Sequence, residues 1–270
     1  DPRLRQIMVS LVKHLHGFVS ETQLTESEFR QATSLMNEIG QRSNETHNEA
    51  VLMAGSLGVS QLVCLQNNGG VVDDDGAIQT TQNLLGPFWR MHSPCTENGG
   101  SILRSPTAGA ALRVEGLVVD SAGQPVADAE VDIWHASPVG LYEQQDTSQV
   151  DMNLRGKFTT NHEGRFWFTT VKPTGYPIPT DGVVGRLLAA QNRHPYRPAH
   201  LHALIFKEGF KTLISQVYSD DDEHLETDVQ FGVTRATTGH FSKQADGSYV
   251  LQYTYVMQAG EAVLPKPPIK

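Results

Sequence analysis

The sequence predicts a mixed but mainly β fold, an antiparallel β-sandwich behind an N-terminal helical segment. Three observations carry this. Apolar residues in the first ~65 positions recur every three or four residues, the period of an amphipathic helix. Beyond residue 110, short runs rich in Val, Ile, Phe, Thr and Tyr are separated by turns bearing Gly and Pro. No long helical pattern interrupts those runs, which favours an antiparallel sandwich or barrel over a parallel sheet with crossover helices.

The helical elements come first. Leu4, Ile7, Leu11, Leu15 and Phe18 form one apolar stripe. Thr25 and Glu28 fit a capping box that opens a helix through Leu35 to Gly40, and Thr46 and Glu49 fit another that opens a helix through Val51 to about Val63. From Gln66 to Gly76 the chain is polar, with Asn67, Asn68, Gly69, Gly70 and three aspartates, and reads as a linker. Those acids lack the spacing of a calcium-binding EF-hand loop, so a solvated turn is expected there and again at Asp220, Asp221, Asp222 and Glu223. Residues 1–75 are therefore assigned to a helical domain with its linker, and residues 76–270 to a β domain.

The strands follow in order. "ALRVEGLVVD" ends at the turn "SAGQP", and "AEVDIWHA" sets Val131 and Ile133 against Asp132 and Trp134. "KFTT" and "RFWFTTV" flank the turn "NHEG" and predict a hairpin. "HLHALIF", "TLISQVY" and "YVLQYTYVM" complete the set.

Composition narrows the function. A net charge of −9 argues against nucleic acid, whose phosphates need clustered Lys and Arg. No apolar run approaches the roughly 20 residues that span a bilayer, so a membrane-spanning chain is not expected. The opening residues show no signal-peptide pattern. Cys64 and Cys95 form no CxxC pair, which disfavours a thiolate zinc site and favours a reducing, cytoplasmic location.

The segment "RHPYRPAHLH" points to chemistry. On a strand, His200 and His202 project from one face with Leu201 on the other, a geometry that suits two nitrogens on one metal. The remaining donors are either a carboxylate such as Asp181, as in ferrous two-His-one-carboxylate centres, or two tyrosines. Tyr142 in "PVGLYEQQD" and Tyr176 in "KPTGYPIPTDG" both lie in stretches that read as loops. A phenol ordinarily keeps its proton, with a pKa near 10, but a trivalent ion stabilises the phenolate strongly enough to displace it.

With "LLGPFWR", "LYEQQD", "MNLRGKF", "GYPIPTDG" and "TLISQVYSDDDEHLETDVQFGV" added, the sequence resembles the intradiol ring-cleavage dioxygenases of the catechol and hydroxyquinol type. The resemblance implies a β-sandwich catalytic domain behind an N-terminal helical dimerisation domain. It implies Fe(3+) held by Tyr142, Tyr176, His200 and His202, with Tyr176 serving as ligand and as base. It gives Arg197 the stabilisation of ring charge and Gln216 a hydrogen-bonding role beside the centre. Leu52, Gly55, Gly86, Pro87, Ile178 and Pro179 would line the substrate pocket together with Arg197. The substrates would be a small aromatic diol and O2, and the product a cis,cis-muconate. The N-terminal helices would form a homodimer, in this family often with a phospholipid tail in the groove.

The chain also departs from the family pattern. Val183 stands where a proline is usual, and Ala203 where an aromatic often follows the second histidine. Gly55 stands where members that take hydroxyquinol tend to carry an acid, although the N-terminus and "MNLRGKF" look more like that branch. The resemblance thus leaves catechol, chlorinated or alkylated catechols, and hydroxyquinol (giving maleylacetate) as substrates. A ferrous His/carboxylate oxygenase and a non-enzymatic, transthyretin-like sandwich carrier are the competing readings.

Overall fold

The computed structural model describes residues 1–44, 47–68, 71–72 and 78–268. The chain divides into two compact units, Asp1–Ala50 and Val51–Lys270.

In the first unit, α1 (Pro2–Thr22) starts where the Asp1 carboxylate accepts from the amides of Arg3 and Leu4, with proline at the first helical position. It carries the Leu4 to Phe18 stripe and buries none of its residues. The second helix, α2 (Glu26–Arg42), opens on the expected capping box: Thr25 Oγ1 accepts from the Glu28 amide, and a Glu28 oxygen accepts from the Thr25 amide at 2.9 Å.

The single helix expected from Val51 to about Val63 is instead two. α3 (Glu49–Ser56) and α4 (Val59–Asn68) meet at an angle of 77°. Gly58 makes the corner with φ +73°, a left-handed conformation that glycine adopts without strain. The proposed cap Thr46 lies outside the described residues. α4 also runs through Gln66 to Asn68, where a linker was expected. β1 (Val71–Val72) then pairs antiparallel with β2 (Ile78–Thr80). Among the described residues, no single helix is long and apolar enough to cross a membrane.

The sandwich is built from β3 (Ala111–Asp120), β4 (Glu130–His135), β5 (Arg155–Thr159), β6 (Arg165–Val171), β9 (His200–Phe206), β10 (Leu213–Ser219), β11 (Thr238–Gly239), β12 (Phe241–Lys243) and β13 (Tyr249–Met257). One sheet has the order β11-β10-β9-β4-β5 and the other β12-β13-β3-β6. Most neighbours are antiparallel, but β13 runs parallel to β3, and β11 to β10. Between the sheets lie Val131, Ile133, Leu201, Ala203 and Val217 from one side, and Leu112, Val114, Phe166, Phe168 and Leu251 from the other. Ala203 thus faces the inter-sheet core, not the face that carries His202.

Two strand expectations need correction. The turn "NHEG" forms, with the Gly164 amide on the Asn161 carbonyl at 2.9 Å, but the flanking strands do not pair with each other. β5 joins β4 and β6 joins β3, so the segment arches from one sheet to the other. The arch stacks Phe158 on Phe168 at 4.8 Å across the core, a burial that an isolated two-stranded ladder does not supply. In β4, Asp132 and Trp134 are as buried as Val131 and Ile133, because the outer face of this central strand is covered by Phe88 and Trp89. The indole N–H of Trp89 donates to Asp132 at 3.0 Å, which is how a carboxylate is tolerated there.

Between the two halves of the sandwich sequence lie β7 (Tyr176–Pro177), α5 (Val183–Ala190) and β8 (Tyr196–Arg197). β7 and β8 pair antiparallel, so the Tyr176 segment is not the irregular loop its Pro and Gly content suggested. Val183 is the first residue of α5, after Gly182 as N-cap. Proline is well suited to that position; here a fully buried valine fills it.

Candidate functional site

The register of β9 sets the site. His202 stands opposite Gln216 on β10 and Trp134 on β4, and His200 stands opposite Tyr218. Leu201 and Ala203 turn into the inter-sheet core, so both imidazoles project together from the outer face, as the spacing predicts. Their ring centroids are 4.9 Å apart, and both side chains are buried.

Tyr142 sits at the head of a 3-10 turn (Glu143–Gln145), where its amide donates to Gln145 Oε1 at 3.0 Å. Arg155 pins that turn from beneath, donating through Nε to Glu143 at 2.7 Å and through Nη2 to Gln144 at 2.8 Å. The phenol ring stacks on Phe88, with centroids 4.3 Å apart. Tyr176 reaches the site from β7, where its ladder partner is Arg197 on β8.

These elements bring four donors to one place. The phenolic oxygens of Tyr142 and Tyr176 lie 3.4 Å apart, and Tyr176 Oη lies 3.4 Å from His200 Nε2. The His202 ring is 6.5 Å from that of Tyr142, centroid to centroid. His200 Nδ1 donates to the Pro198 carbonyl at 2.7 Å, which leaves the Nε2 lone pair facing the two phenols. Burial, reinforced by the Arg197 charge, pulls His200 down to about 3, and burial likewise pulls His202 well below the ordinary imidazole value. Both rings are therefore neutral and able to donate lone pairs. Burial pushes the Tyr142 and Tyr176 phenols above their ordinary value despite the Arg197 charge, so without a metal ion they hold their protons.

The donor set fits a trivalent metal ion. Oxygens and nitrogens each about 2.0–2.2 Å from a shared ion are spaced about 3 Å apart, and the observed 3.4 Å separations are longer than ordinary O–H···O hydrogen bonds. Two ionised phenols would cancel two of three positive charges. A His/carboxylate centre has no matching geometry: among the described residues no group of three or more His, Cys, Asp or Glu converges, and Asp181 lies exposed ahead of α5.

Arg197 is buried and locked. Nε and Nη2 donate to the two oxygens of Asp228 at 3.2 and 3.1 Å, and Nη2 also meets Gln216 Oε1 at 3.0 Å and the Tyr218 hydroxyl. Nη1 is turned to the centre, 3.4 Å from His200 Nε2. Burial opposes the guanidinium charge, but Asp228, Tyr218 and Tyr176 together hold Arg197 above its ordinary value. Asp228 in turn lies below the ordinary carboxylate range despite its burial. Gln216 does not reach the phenols directly; its amide bridges Arg197 and the Leu84 carbonyl, the latter at 2.6 Å.

The expected pocket residues separate. Gly86 lies against the His202 ring. Leu52 packs on the cluster of Ile178, Val184, Leu188 and Val229, which begins two residues after Tyr176. Gly55 lies under the Gln230 side chain, with space for a Cβ only 3.2 Å from Nε2. Pro87 and Pro179 are exposed. Sequence reasoning missed Asp228, Tyr218, Trp134, Phe88 and the Arg155–Glu143 pair. Nothing local distinguishes Asp228 from the acids at 220–223, which do form an exposed turn, although Asp222 also caps the Ala199 amide at 2.9 Å.

Comparison with known proteins identifies the family. Residues 61–259 match the family described as Dioxygenase, and residues 1–71 match the Catechol dioxygenase N terminus. The chain is 41% identical to a hydroxyquinol 1,2-dioxygenase of Rhizobium sp. (strain MTP-10005) over 91% of this chain and 82% of that one. It is 36% identical to a catechol 1,2-dioxygenase of Candida albicans, over 90% and 79%. Among solved structures, a hydroxyquinol 1,2-dioxygenase from Pseudomonas putida DLL-E4 superposes with a TM-score of 0.88 at 36% identity, covering 96% of this chain and 93% of that one.

Proposed function

The chain belongs to the intradiol ring-cleavage dioxygenases, enzymes that open catechol-type rings with O2, and we propose that its working centre is Fe(3+) held by Tyr142, Tyr176, His200 and His202. The observation that carries this reading is the convergence of a buried phenol, a half-buried phenol and a neutral imidazole within 3.4 Å steps, with a second imidazole beside them.

Ferric iron held there would supply Lewis acidity toward the diol and the electron exchange that a ring needs to react with O2. The chain's own groups do the rest. Tyr176, less buried than Tyr142, would take a substrate proton at its phenolic oxygen. Tyr142, sealed under Phe88 and held by its pinned turn, stays in position. Arg197 turns Nη1 toward the centre and stabilises negative charge on the ring as it builds. Gln216 and Asp228 keep that guanidinium in place. Burial of Tyr142, Arg197, Gln216 and Asp228 excludes water and strengthens each interaction.

The substrate is a 1,2-dihydroxybenzene. Gly55, standing where members that take hydroxyquinol tend to carry an acid, favours catechol or a substituted catechol; a side chain there would meet Gln230. A second reading, hydroxyquinol, is supported by the 41% identity and the 0.88 TM-score to relatives of that name. A panel of catechol, chlorocatechol, alkylcatechol and hydroxyquinol, followed by ultraviolet absorbance, separates them. Muconate formation supports the first reading and maleylacetate the second; no product with any of the four contradicts both.

The exposed apolar stripe of α1 supports a homodimer formed through this helix.

A further inference from the structure

The two histidines are held differently. His200 has its Nδ1 on the Pro198 carbonyl at 2.7 Å, which fixes the rotation of its ring. His202 Nδ1 is buried and has no hydrogen-bond partner among the described residues. A ligating imidazole ordinarily anchors its second nitrogen on a carboxylate, a carbonyl or a water.

What meets the His202 ring is packing. Trp134, its partner across the β4–β9 ladder, stacks on it with centroids 4.7 Å apart and planes within 9°. The indole is fully buried, and on its other side the ladder partner is Arg155, itself fixed by Glu143 and Gln144. The chain at Gly86 closes on the ring as well: a Cβ there would lie 3.0 Å from His202 Cε1 and 3.5 Å from Nε2. Gly86 has φ +76°, so the close approach and the left-handed backbone both call for glycine.

Rotation about χ2 turns the plane of an imidazole. A plane-parallel stack therefore restrains the same angle that a bond at Nδ1 restrains in His200. We propose that Trp134 is a positioning residue for His202, and that its indole, with the Gly86 backbone as a wall, sets the ring rotation in place of a hydrogen bond. The proposal rests on the ferric-centre reading above.

The test uses the full chain loaded with iron, and four variants. Trp134→Leu keeps an apolar side chain but loses the stack; Trp134→Phe keeps a flat ring; Gly86→Ala adds the methyl; Phe158→Leu weakens the inter-sheet core without touching His202. Iron retained in competition with EDTA, the visible spectrum and Tm are measured for each. Trp134→Leu is expected to release iron about 10-fold to 100-fold more readily than the parent, the usual effect of losing a group that orients a ligand. Trp134→Phe should recover most of that loss, and Phe158→Leu should lower Tm while keeping its iron.

The proposal is overturned if Trp134→Leu holds iron within about twofold of the parent, or if Phe158→Leu loses iron equally. Should Trp134→Leu not fold, the crystal structure of metal-free Gly86→Ala decides: an imidazole turned out of parallel with Trp134 supports the proposal, and an unmoved ring overturns it. A parent protein that takes up no iron instead contradicts the ferric-centre reading, and the same Gly86→Ala structure still tests the role of Trp134.

Discussion

Both carboxylate oxygens of Asp228 accept from the guanidinium of Arg197, one from Nε at 3.2 Å and the other from Nη2 at 3.1 Å. The pair is almost fully buried, and it leaves Nη1 as the nitrogen that faces the centre. Gly232 completes the arrangement, since a side chain there would collide with the Tyr218 hydroxyl and with Arg197 Nη2.

Arg197→Lys keeps a charge but loses the fork that lets one group serve Asp228, Gln216 and the centre together. It is expected to lower kcat on the order of 10²-fold to 10³-fold while raising KM less. Steady-state kinetics with catechol, alongside the visible spectrum, reads this out. Wild-type kcat with only a raised KM would show that Arg197 merely holds substrate.

Asp228→Asn keeps the size of the side chain and removes its charge. Breaking a buried ion pair from one side costs about 3–5 kcal/mol of stability, because the remaining charge is left unbalanced. A fall in Tm together with reduced kcat is expected. An unchanged Tm would mean that Arg197 draws its stability from Gln216 and Tyr218 instead.

Acid acts on two buried groups in opposite directions. Burial pulls His135 down to about 4, so between pH 6.5 and 4 the unfolded chain binds a proton that the folded chain refuses, and stability falls as acid is added. Burial pushes Asp132 up to about 6, so between about 6 and 3.8 the folded chain keeps a proton that the unfolded chain releases, and stability rises as acid is added. Asp132→Asn abolishes the second effect while keeping an acceptor for the Trp89 indole. The Tm of this variant relative to the parent should therefore increase with pH across that window. A difference independent of pH would place Asp132 outside the titration.

Deleting the first ~40 residues, the span that carries the exposed stripe of α1, should convert a dimer to a monomer in sedimentation at micromolar concentration. A full-length monomer, or a dimer that survives the deletion, would contradict the role given to α1.

Much of this was legible in the sequence, for reasons that particular residues make plain. His200 and His202 share a face because strand side chains alternate, and the capping box at Thr25 and Glu28 is a local pattern with a local cause. Tyr142 and Tyr176 were candidates beside Asp181, and the resemblance put them first, since nothing in their own segments predicts that their oxygens meet. The arch at 160–164 was misread because turn chemistry specifies the bend but not which sheet each arm joins. Trp134 and Asp228 escaped notice because their roles depend on partners 68 and 31 residues away, across a ladder or a loop that only the fold brings together.

The central claim is that two phenolates and two imidazoles hold ferric iron. The measurement that tests it most directly is the visible absorption of the purified, iron-loaded protein and of its Tyr142→Phe variant, with iron content determined on the same samples. The account predicts about one iron per chain, since the site has a single set of four donors. It also predicts a red-brown phenolate band in the parent and a shifted, weakened band in the variant. A colourless protein that is active with Fe2+, or a spectrum unmoved by the loss of the Tyr142 hydroxyl, would contradict it.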